Sequence, residues 1–220
     1  MNSSENNVLI EAIKKSALKA FDEHYKLTDG EWLTHTPEYW YTSFIAQGIK
    51  KAFPKYSIYL ENSVAEVRSS AQPKKGRPSK RLASGKCDIS IWKYWKTRDE
   101  NNCWEAKTII EIKRAWSWDN STLGDDIKRL RSALFETQKI NNTFFVVMSD
   151  EQDTDKETAK QLLKNRFHYF HDKIQKYLEN DSIRVDPFFK ISKKYKEDES
   201  NAGIFIYKLT ADNRKGKNAK

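Results

Sequence analysis

The amino-acid sequence predicts an α/β domain with a mixed central sheet flanked by helices. Stretches with apolar residues at helical spacing alternate along the 220 residues with short apolar stretches typical of strands. The predicted order is helix, helix, three strands, helix, strand, helix and two strands. The first three strands suit antiparallel neighbours, whereas the fourth follows a helical crossover and suits a parallel pairing. Hydrophobic residues make up 38% of the chain, enough for a sizeable core.

Two helices are predicted before the first strand. Residues 6–25 place Leu9, Ile13 and Ala17 at helical spacing. A second helix is expected to start at Thr36 as N-cap, with Pro37 in the first helical position, and to end at Pro54.

Three strands are predicted next, at residues 56–67, 86–95 and 103–113. A long loop at residues 68–85, rich in basic and small residues, separates the first two. A polar turn at residues 97–102 joins the second and third, so these two strands form a hairpin.

The second half of the chain continues the alternation. A helix is predicted at residues 125–135, a strand buried on both faces at 143–148, and late strands at 183–189 and 203–209. Thr154 and Glu157 have the spacing of a capping box, which predicts that a long helix opens there and runs toward Leu178. Residues 1–210 are therefore expected to form a single domain, followed by a basic, flexible tail at 211–220.

Charge and cysteine content narrow the function classes. The net charge is +9 and the isoelectric point about 9.3. Such a surplus fits a polyanionic partner, for which nucleic acid is the usual case, although solubility alone is the simpler alternative. Two cysteines without a Cys-x-x-Cys pair indicate free thiols rather than a zinc site. No apolar stretch has the length of a membrane span, so the sequence predicts a soluble, cytoplasmic protein without a membrane partner.

The predicted hairpin brings two carboxylates together. With a turn centred between Asp99 and Glu100 and no bulge, residues facing each other have numbers that add to 199, so Asp88 stands opposite Glu111. Lys113 is two residues further on and points to the same side. The opposite side carries only isoleucines near this point, as a core-facing side should: Ile89, Ile91, Ile110 and Ile112.

A second Glu-x-Lys pattern, Glu105 and Lys107, is predicted on the same face as the first. The same register sets Glu105 opposite Tyr94 and Lys107 opposite Trp92, so this copy has no acid across from it.

Two adjacent carboxylates repel each other at neutral pH unless a positive charge neutralises them. Hard oxygen ligands favour Mg²⁺ or Mn²⁺, and a lysine beside such an ion could position water and stabilise charge on a phosphorane-like state. Asp88, Glu111 and Lys113 are therefore candidates for phosphodiester hydrolysis. The alternative is a structural cluster of charges at the end of a sheet.

At these residues the chain resembles the PD-(D/E)xK nuclease superfamily, whose members share the restriction-endonuclease-like fold. One half of the motif is Gly85-Lys86-Cys87-Asp88, with Cys87 where the superfamily usually has proline, and the other half is Ile109-Ile110-Glu111-Ile112-Lys113. The helix at 125–130 and the strand at 144–148 are similar to those that follow the motif in this fold. The resemblance covers roughly residues 36–149, so it implies a restriction-endonuclease-like core with helical N-terminal and α/β C-terminal additions.

The resemblance implies a Mg²⁺- or Mn²⁺-dependent endonuclease acting on DNA. Asp88, Glu111 and the backbone carbonyl of Ile112 would bind the metal, and Lys113 would be the catalytic lysine. Many members add a glutamate from the helix before the first strand, and Glu38 is the candidate here. Glu61, at the end of the apolar run of the first strand, is its rival.

A basic segment precedes the first half of the motif. Residues 73–81 read P-K-K-G-R-P-S-K-R, and the Gly-Arg-Pro core resembles an AT-hook, which lies in the minor groove of DNA. A flexible loop that contacts phosphates is the simpler interpretation. Both interpretations assign nucleic-acid binding to the same residues, namely Lys74, Lys75, Arg77, Lys80 and Arg81.

Two other functions fit the same residues. The fold could hold nucleic acid or a protein partner without cleaving it, or the substrate could be RNA rather than double-stranded DNA. The sequence contains neither a helix-turn-helix pattern nor a zinc finger, so sequence specificity would come from loops or from the geometry of a homodimer. Lys128, Arg129 and Arg131 fit phosphate contacts or, more commonly, a solvated helix face.

Overall fold

The computed structural model describes residues 1–31, 36–71, 85–96, 102–114, 123–195 and 200–211, with the backbone alone at residues 95, 96 and 102. Within these ranges the chain forms five helices and six strands. The helices are α1 (Ser3–Leu27), α2 (Glu38–Ala52), α3 (Val64–Ser70), α4 (Leu123–Glu136) and α5 (Ala159–Leu178). The strands are β1 (Tyr56–Ser63), β2 (Lys86–Lys96), β3 (Asn102–Arg114), β4 (Asn142–Gln152), β5 (Ile183–Ile191) and β6 (Ser200–Ala211).

The described strands form one mixed sheet in the order β1-β2-β3-β4-β6-β5. β3 and β4 are parallel, and the other neighbouring pairs are antiparallel. The chain crosses from β3 to β4 through α4, as a parallel pairing requires. The predicted α/β class with a mixed, helix-flanked sheet is thus confirmed.

Helices cover both faces of the sheet. α1 and α2 pack on one face, where Ile13 and Ile45 join a cluster with Ile89, Ile110 and Val146. α3, α4 and α5 pack on the other face, in a second cluster whose strand residues include Trp92, Ala106, Ile109, Phe145, Val147 and Phe205. Because alternate residues of β4 enter opposite clusters, the strand is buried on both faces from Asn142 to Asp150, as its continuous apolar run predicts.

The end of the first predicted strand was wrong. β1 stops at Ser63, and Val64–Ser70 forms the short helix α3 instead of more strand and the start of a loop. Val64 and Val67 are fully buried in the cluster beneath α4. Burial of two valines on one helical face therefore outweighs their preference for strands.

The two helix starts that were predicted from capping residues, those of α2 and α5, were wrong by a few residues. α2 begins at Glu38 with Pro37 at the N-cap, one residue later than predicted, and no side chain caps it. The Thr154 hydroxyl does accept a hydrogen bond from the Glu157 backbone at 3.0 Å, but this turn precedes the helix. α5 starts at Ala159, where Thr158 is the N-cap.

Several predicted features lie outside the described residues. These are most of the loop at 68–85, the turn at 97–101 and the tail from residue 212 onward. Among the described helices, none combines the length and apolar character needed to cross a bilayer.

Candidate active site

The ends of β2 and β3 bring Asp88 and Glu111 to the same face of the sheet. Pairs from Ile91↔Thr108 to Ile89↔Ile110 follow the predicted register, which sets Asp88 opposite Glu111 at the next step. The Asp88 carboxylate reaches across to β3 and accepts a hydrogen bond from the Ile112 backbone N–H at 2.6 Å. Asp88 thus lies beside the backbone of the predicted metal-binding segment.

A β-bulge separates this site from the second Glu-x-Lys pattern. The register shifts between Ile91 and Trp92, so Trp92 pairs with Ala106 and Glu105 pairs with Lys93. The prediction of a regular hairpin, with Glu105 opposite Tyr94 and on the face of Glu111, was wrong. Glu105 instead lies on the face covered by α1, where its charge acts on the N-terminal amine of Met1.

Glu38 approaches the site from the first turn of α2. Its Oε1 lies 3.7 Å from Nζ of Lys113, and its Oε2 accepts a hydrogen bond from the Arg114 backbone at 3.3 Å. Its negative charge also raises the pKa of Asp88. The Glu38 carboxylate is partly exposed, so the site faces solvent on the side of α2.

Glu61, the rival acid, occupies a different position. It lines a hollow with Glu66 and Trp92 on the edge of the sheet, and no hydrogen bond or ion pair described here joins it to Lys113. Its φ of 54° lies in the left-handed region, which is uncommon outside glycine. Of the two rivals, Glu38 is therefore the acid that contacts Lys113.

α4 adds two side chains, Asp126 and Arg129, that were not predicted to belong to the site. Nε of Arg129 donates to Oε1 of Glu111 at 2.6 Å, and Nη2 lies 3.3 Å from Oε2, which makes a two-pronged contact. Arg129 also contacts Asp126, whose other oxygen lies 3.3 Å from Nζ of Lys113. The prediction that Arg129 belongs to a solvated helix face was wrong, because its guanidinium faces the sheet.

The sequence did carry a signal for these two residues. Asp126 is three residues after the buried Leu123 and one before the buried Ile127, so it falls on the apolar stripe of α4. Arg129 is three residues further along the same side. A carboxylate on a core-facing stripe is costly without a partner, and so it marks a candidate site.

Burial dominates the electrostatics of the two strand carboxylates. Glu111 is 1% exposed, and burial raises its pKa to about 8 although the bonds from Arg129 oppose the shift. Burial likewise raises the pKa of Asp88 to about 6, against the hydrogen bond from Ile112. Each carboxylate raises the pKa of its neighbours further, so the site resists carrying all of its negative charge at once.

Lys113 keeps its proton in this environment. Burial alone lowers the pKa of the ammonium group, but the charges of Asp126 and Glu38 raise it by more, so the net shift is upward. Lys113 is therefore a cation at neutral pH, held between one acid from α2 and one from α4.

The donor chemistry of the cluster suits a divalent cation, whereas its geometry holds a guanidinium. The cluster consists of four carboxylates and two cations, namely Asp88, Glu111, Glu38, Asp126, Lys113 and Arg129. When all six groups are ionised its net charge is 2 − 4 = −2, and all of its acidic donors are hard oxygens. In the described ranges, however, no three His, Cys, Asp or Glu side chains converge as a metal-binding group. Both oxygens of Glu111 contact Arg129, so a metal bound by Glu111 would either share an oxygen with the guanidinium or displace one of its contacts.

The five predicted nucleic-acid-binding residues of the basic segment, Lys74, Lys75, Arg77, Lys80 and Arg81, lie outside the described residues. The described chain resumes at Gly85, whose φ of 103° favours glycine and whose carbonyl accepts a hydrogen bond from Val64 at 3.0 Å. Gly85 lies three residues before Asp88, and β2 begins at the next residue, Lys86.

Comparisons with protein-family models, with curated proteins and with solved structures found no match to this chain. Function is consequently inferred from the residues around Asp88 and Glu111 and their geometry.

Proposed function

We propose that this protein is a metal-dependent endonuclease that hydrolyses phosphodiester bonds in DNA, with a restriction-endonuclease-like core. The observation that carries the proposal is the convergence of Asp88, Glu111 and Lys113 at the ends of two adjacent strands, where both carboxylates have raised pKa values. The basic net charge supports a polyanionic substrate.

The carboxylates of Asp88 and Glu111, with the carbonyl of Ile112, would hold one Mg²⁺ or Mn²⁺. Such an ion, when bound, supplies charge neutralisation at the scissile phosphate and lowers the pKa of water. Asp88 is already directed toward Ile112 by its hydrogen bond to the backbone. Glu111 would exchange one oxygen contact with Arg129 for the ion, and the second contact would keep the carboxylate in place.

Lys113 would stabilise the negative charge that develops on the phosphate during hydrolysis. Its ammonium group stays protonated because Asp126 and Glu38 flank it, and it has three donors to share among them and the substrate. Asp126 and Glu38 would act as positioning residues, since they hold the lysine without needing to contact the reacting atoms.

Cleavage assays with plasmid DNA, duplex and single-stranded DNA and RNA, in Mg²⁺, Mn²⁺ or EDTA, test this proposal. We expect metal-dependent cutting of duplex DNA that falls by about a hundredfold or more in Lys113→Ala and Asp88→Ala. Lys107→Ala is the matched control, because this lysine lies at the bulge and pairs with Glu105 of the second Glu-x-Lys copy. Cutting that survives both site substitutions would overturn the assignment, and preferential cutting of RNA would replace DNA as the substrate.

A binding module without catalysis is the second candidate. It is favoured by the contact of Arg129 with both oxygens of Glu111, which neutralises the acid without a metal. This candidate predicts tight, salt-sensitive DNA binding with no cleavage in either metal, and the same assays distinguish the two.

A further inference from the structure

A groove between α1 and α2 has the charge of an anion-binding site. The groove has a volume of about 420 Å³ and, within the described ranges, is lined by residues of these two helices alone. This lining contains no acidic residue and three lysines, which are Lys15 and Lys19 from α1 and Lys51 from α2.

The three lysines of the groove are exposed and available. Neither an ion pair nor a hydrogen bond to a carboxylate is described for Lys15, Lys19 or Lys51, and only Lys19 has another contact, at 6.0 Å above the ring of Phe44. Elsewhere on α1 the lysines do pair, as Lys14 does with Glu11 at 2.7 Å. The groove therefore concentrates positive charge that no acidic side chain in the described ranges pairs with.

The walls of the groove are held at a fixed spacing. Gly48 lets α2 approach α1 so closely that an added Cβ would lie 2.7 Å from the Cβ of Ser16. The indole Nε1 of Trp40 donates to the Ala20 carbonyl at 3.0 Å, which ties the helices at a second point. Lysines from both helices thus converge on a preformed hollow.

We propose that this groove binds backbone phosphates of double-stranded DNA, an inference that rests on the proposed function for the identity of its ligand. α2 links the groove to the candidate active site, because Glu38 begins the helix and Gly48 lies ten residues further on. At 1.5 Å per residue this separation is about 15 Å along the helix axis, or about four base pairs of duplex. One duplex could therefore contact both regions.

Salt-dependent DNA binding tests the groove directly. Each phosphate contact contributes about 0.9 to the slope of log affinity against log salt, so Lys15→Ala/Lys19→Ala/Lys51→Ala should reduce the magnitude of the slope by about two to three. Affinity at low salt should fall by about tenfold or more. Anisotropy of a labelled duplex in EDTA gives both quantities without cleavage.

Lys160→Ala/Lys164→Ala/Lys176→Ala is the matched control. It removes the same charge from exposed positions of α5, which packs on the opposite face of the sheet. We expect its slope to change by less than about one unit. Equal effects of the two triple variants, or an unchanged slope in the groove variant, would overturn the proposal, as would a loss of affinity for RNA or inorganic phosphate without one for duplex DNA.

The binding and cleavage results separate this inference from the proposed function. A groove variant that loses duplex binding in a protein that cuts no nucleic acid supports the groove and rejects the nuclease. A cutting protein whose groove variant binds and cuts as the parent does supports the nuclease and rejects the groove.

Discussion

Glu111 binds its proton more tightly in the folded protein than in the unfolded chain. Its pKa rises from the ordinary 4.5 to about 8, while that of Asp88 rises from 3.8 to about 6, in both cases because burial disfavours the charged form. A carboxyl group whose pKa is raised by folding stabilises the folded state at low pH. That contribution is lost as pH rises from the unfolded toward the folded pKa.

Glu111 should therefore make the metal-free protein less stable in mildly alkaline than in mildly acidic solution. In EDTA we expect the free energy of unfolding to fall between about pH 5 and about pH 8, by up to about 1.4 kcal/mol per pH unit for each proton lost. Glu111→Gln should flatten the upper part of this window, because the amide has no proton to lose. Urea denaturation of both proteins at several pH values measures the difference, and equal slopes would show that Glu111 does not titrate there.

Arg129 occupies the space beside Glu111 that the proposed function gives to a metal ion. Its guanidinium contributes a positive charge to the site and contacts both carboxylate oxygens. A guanidinium and a divalent ion bound to the same carboxylate, about 4 Å apart, repel each other by several kcal/mol even near the protein surface. Arg129 should therefore compete with a divalent ion for Glu111.

Arg129→Gln should bind Mn²⁺ about tenfold more tightly than the parent, because the competing charge is gone. Electron paramagnetic resonance of free Mn²⁺ measures this without substrate or turnover. Arg131→Gln is the control, since Arg131 lies on the same helix but pairs with Asp181 at 2.5 Å on its outer side. Weaker Mn²⁺ binding in Arg129→Gln would mean that Arg129 positions Glu111 for the metal instead of competing with it.

The residues that the sequence could locate were those fixed by strand spacing. Asp88, Glu111 and Lys113 follow from the alternation of side chains between the two faces of the hairpin. The pairs next to them, from Ile89↔Ile110 to Ile91↔Thr108, keep the predicted register. Asp126 and Arg129 required knowledge of which turn of α4 faces the sheet, and that depends on packing between elements far apart in the chain. The apolar stripe of α4 indicates that Asp126 faces the core, but it does not say which strand residues the side chain meets there.

Among the elements, those with a long periodic pattern were predicted and the short one was not. α3 spans seven residues and follows β1 without a loop, so its valines read as more strand. The preceding Ser63 and Glu66 have the spacing of a capping box, although the serine makes no capping hydrogen bond. Burial against α4 decides the conformation, and such burial is a property of the assembled fold.

The contact between α1 and α2 depends on one glycine. A Cβ at position 48 would lie 1.7 Å from Oγ and 2.7 Å from Cβ of Ser16. The serine hydroxyl could rotate away, but its Cβ could not, so the helices would have to separate.

Gly48→Ala should destabilise the protein by about 1–3 kcal/mol, because overpacking outweighs the better helix propensity of alanine. Ser16→Gly combined with Gly48→Ala should recover most of the loss, since the small residue then lies on the other helix. Urea denaturation compares the three proteins. A single Gly48→Ala variant as stable as the parent would show that the helices adjust at little cost.

In the whole molecule, stability should be highest at the centre of the sheet. β4 lies between β3 and β6 and is buried on both faces, whereas β1 and β5 form the edges of the described sheet. Local opening is least favourable where both faces and both edges of a strand are covered.

Amide hydrogen exchange should follow this order. We expect the slowest exchange at Phe144–Met148 of β4 and at the facing residues of β6, with exchange at the edge strands faster by about tenfold or more. Mass spectrometry of peptides after timed exposure to deuterated buffer measures it. Protection in β1 equal to that in β4 would contradict the expected centre of stability.

The bulge at Ile91 and Trp92 changes which residues of β3 point to each face of the sheet. On one side of the bulge Glu111 points toward the candidate active site, and on the other side Glu105 points toward α1. Each of them is the glutamate of its own Glu-x-Lys copy. One residue inserted in β2 opposite the bulge would restore the regular alternation and turn the outer half of the hairpin over. Glu105 would then move to the face of Asp88, and Trp92 would leave it, so a single residue in the partner strand decides whether Glu105 shares a face of the sheet with Asp88.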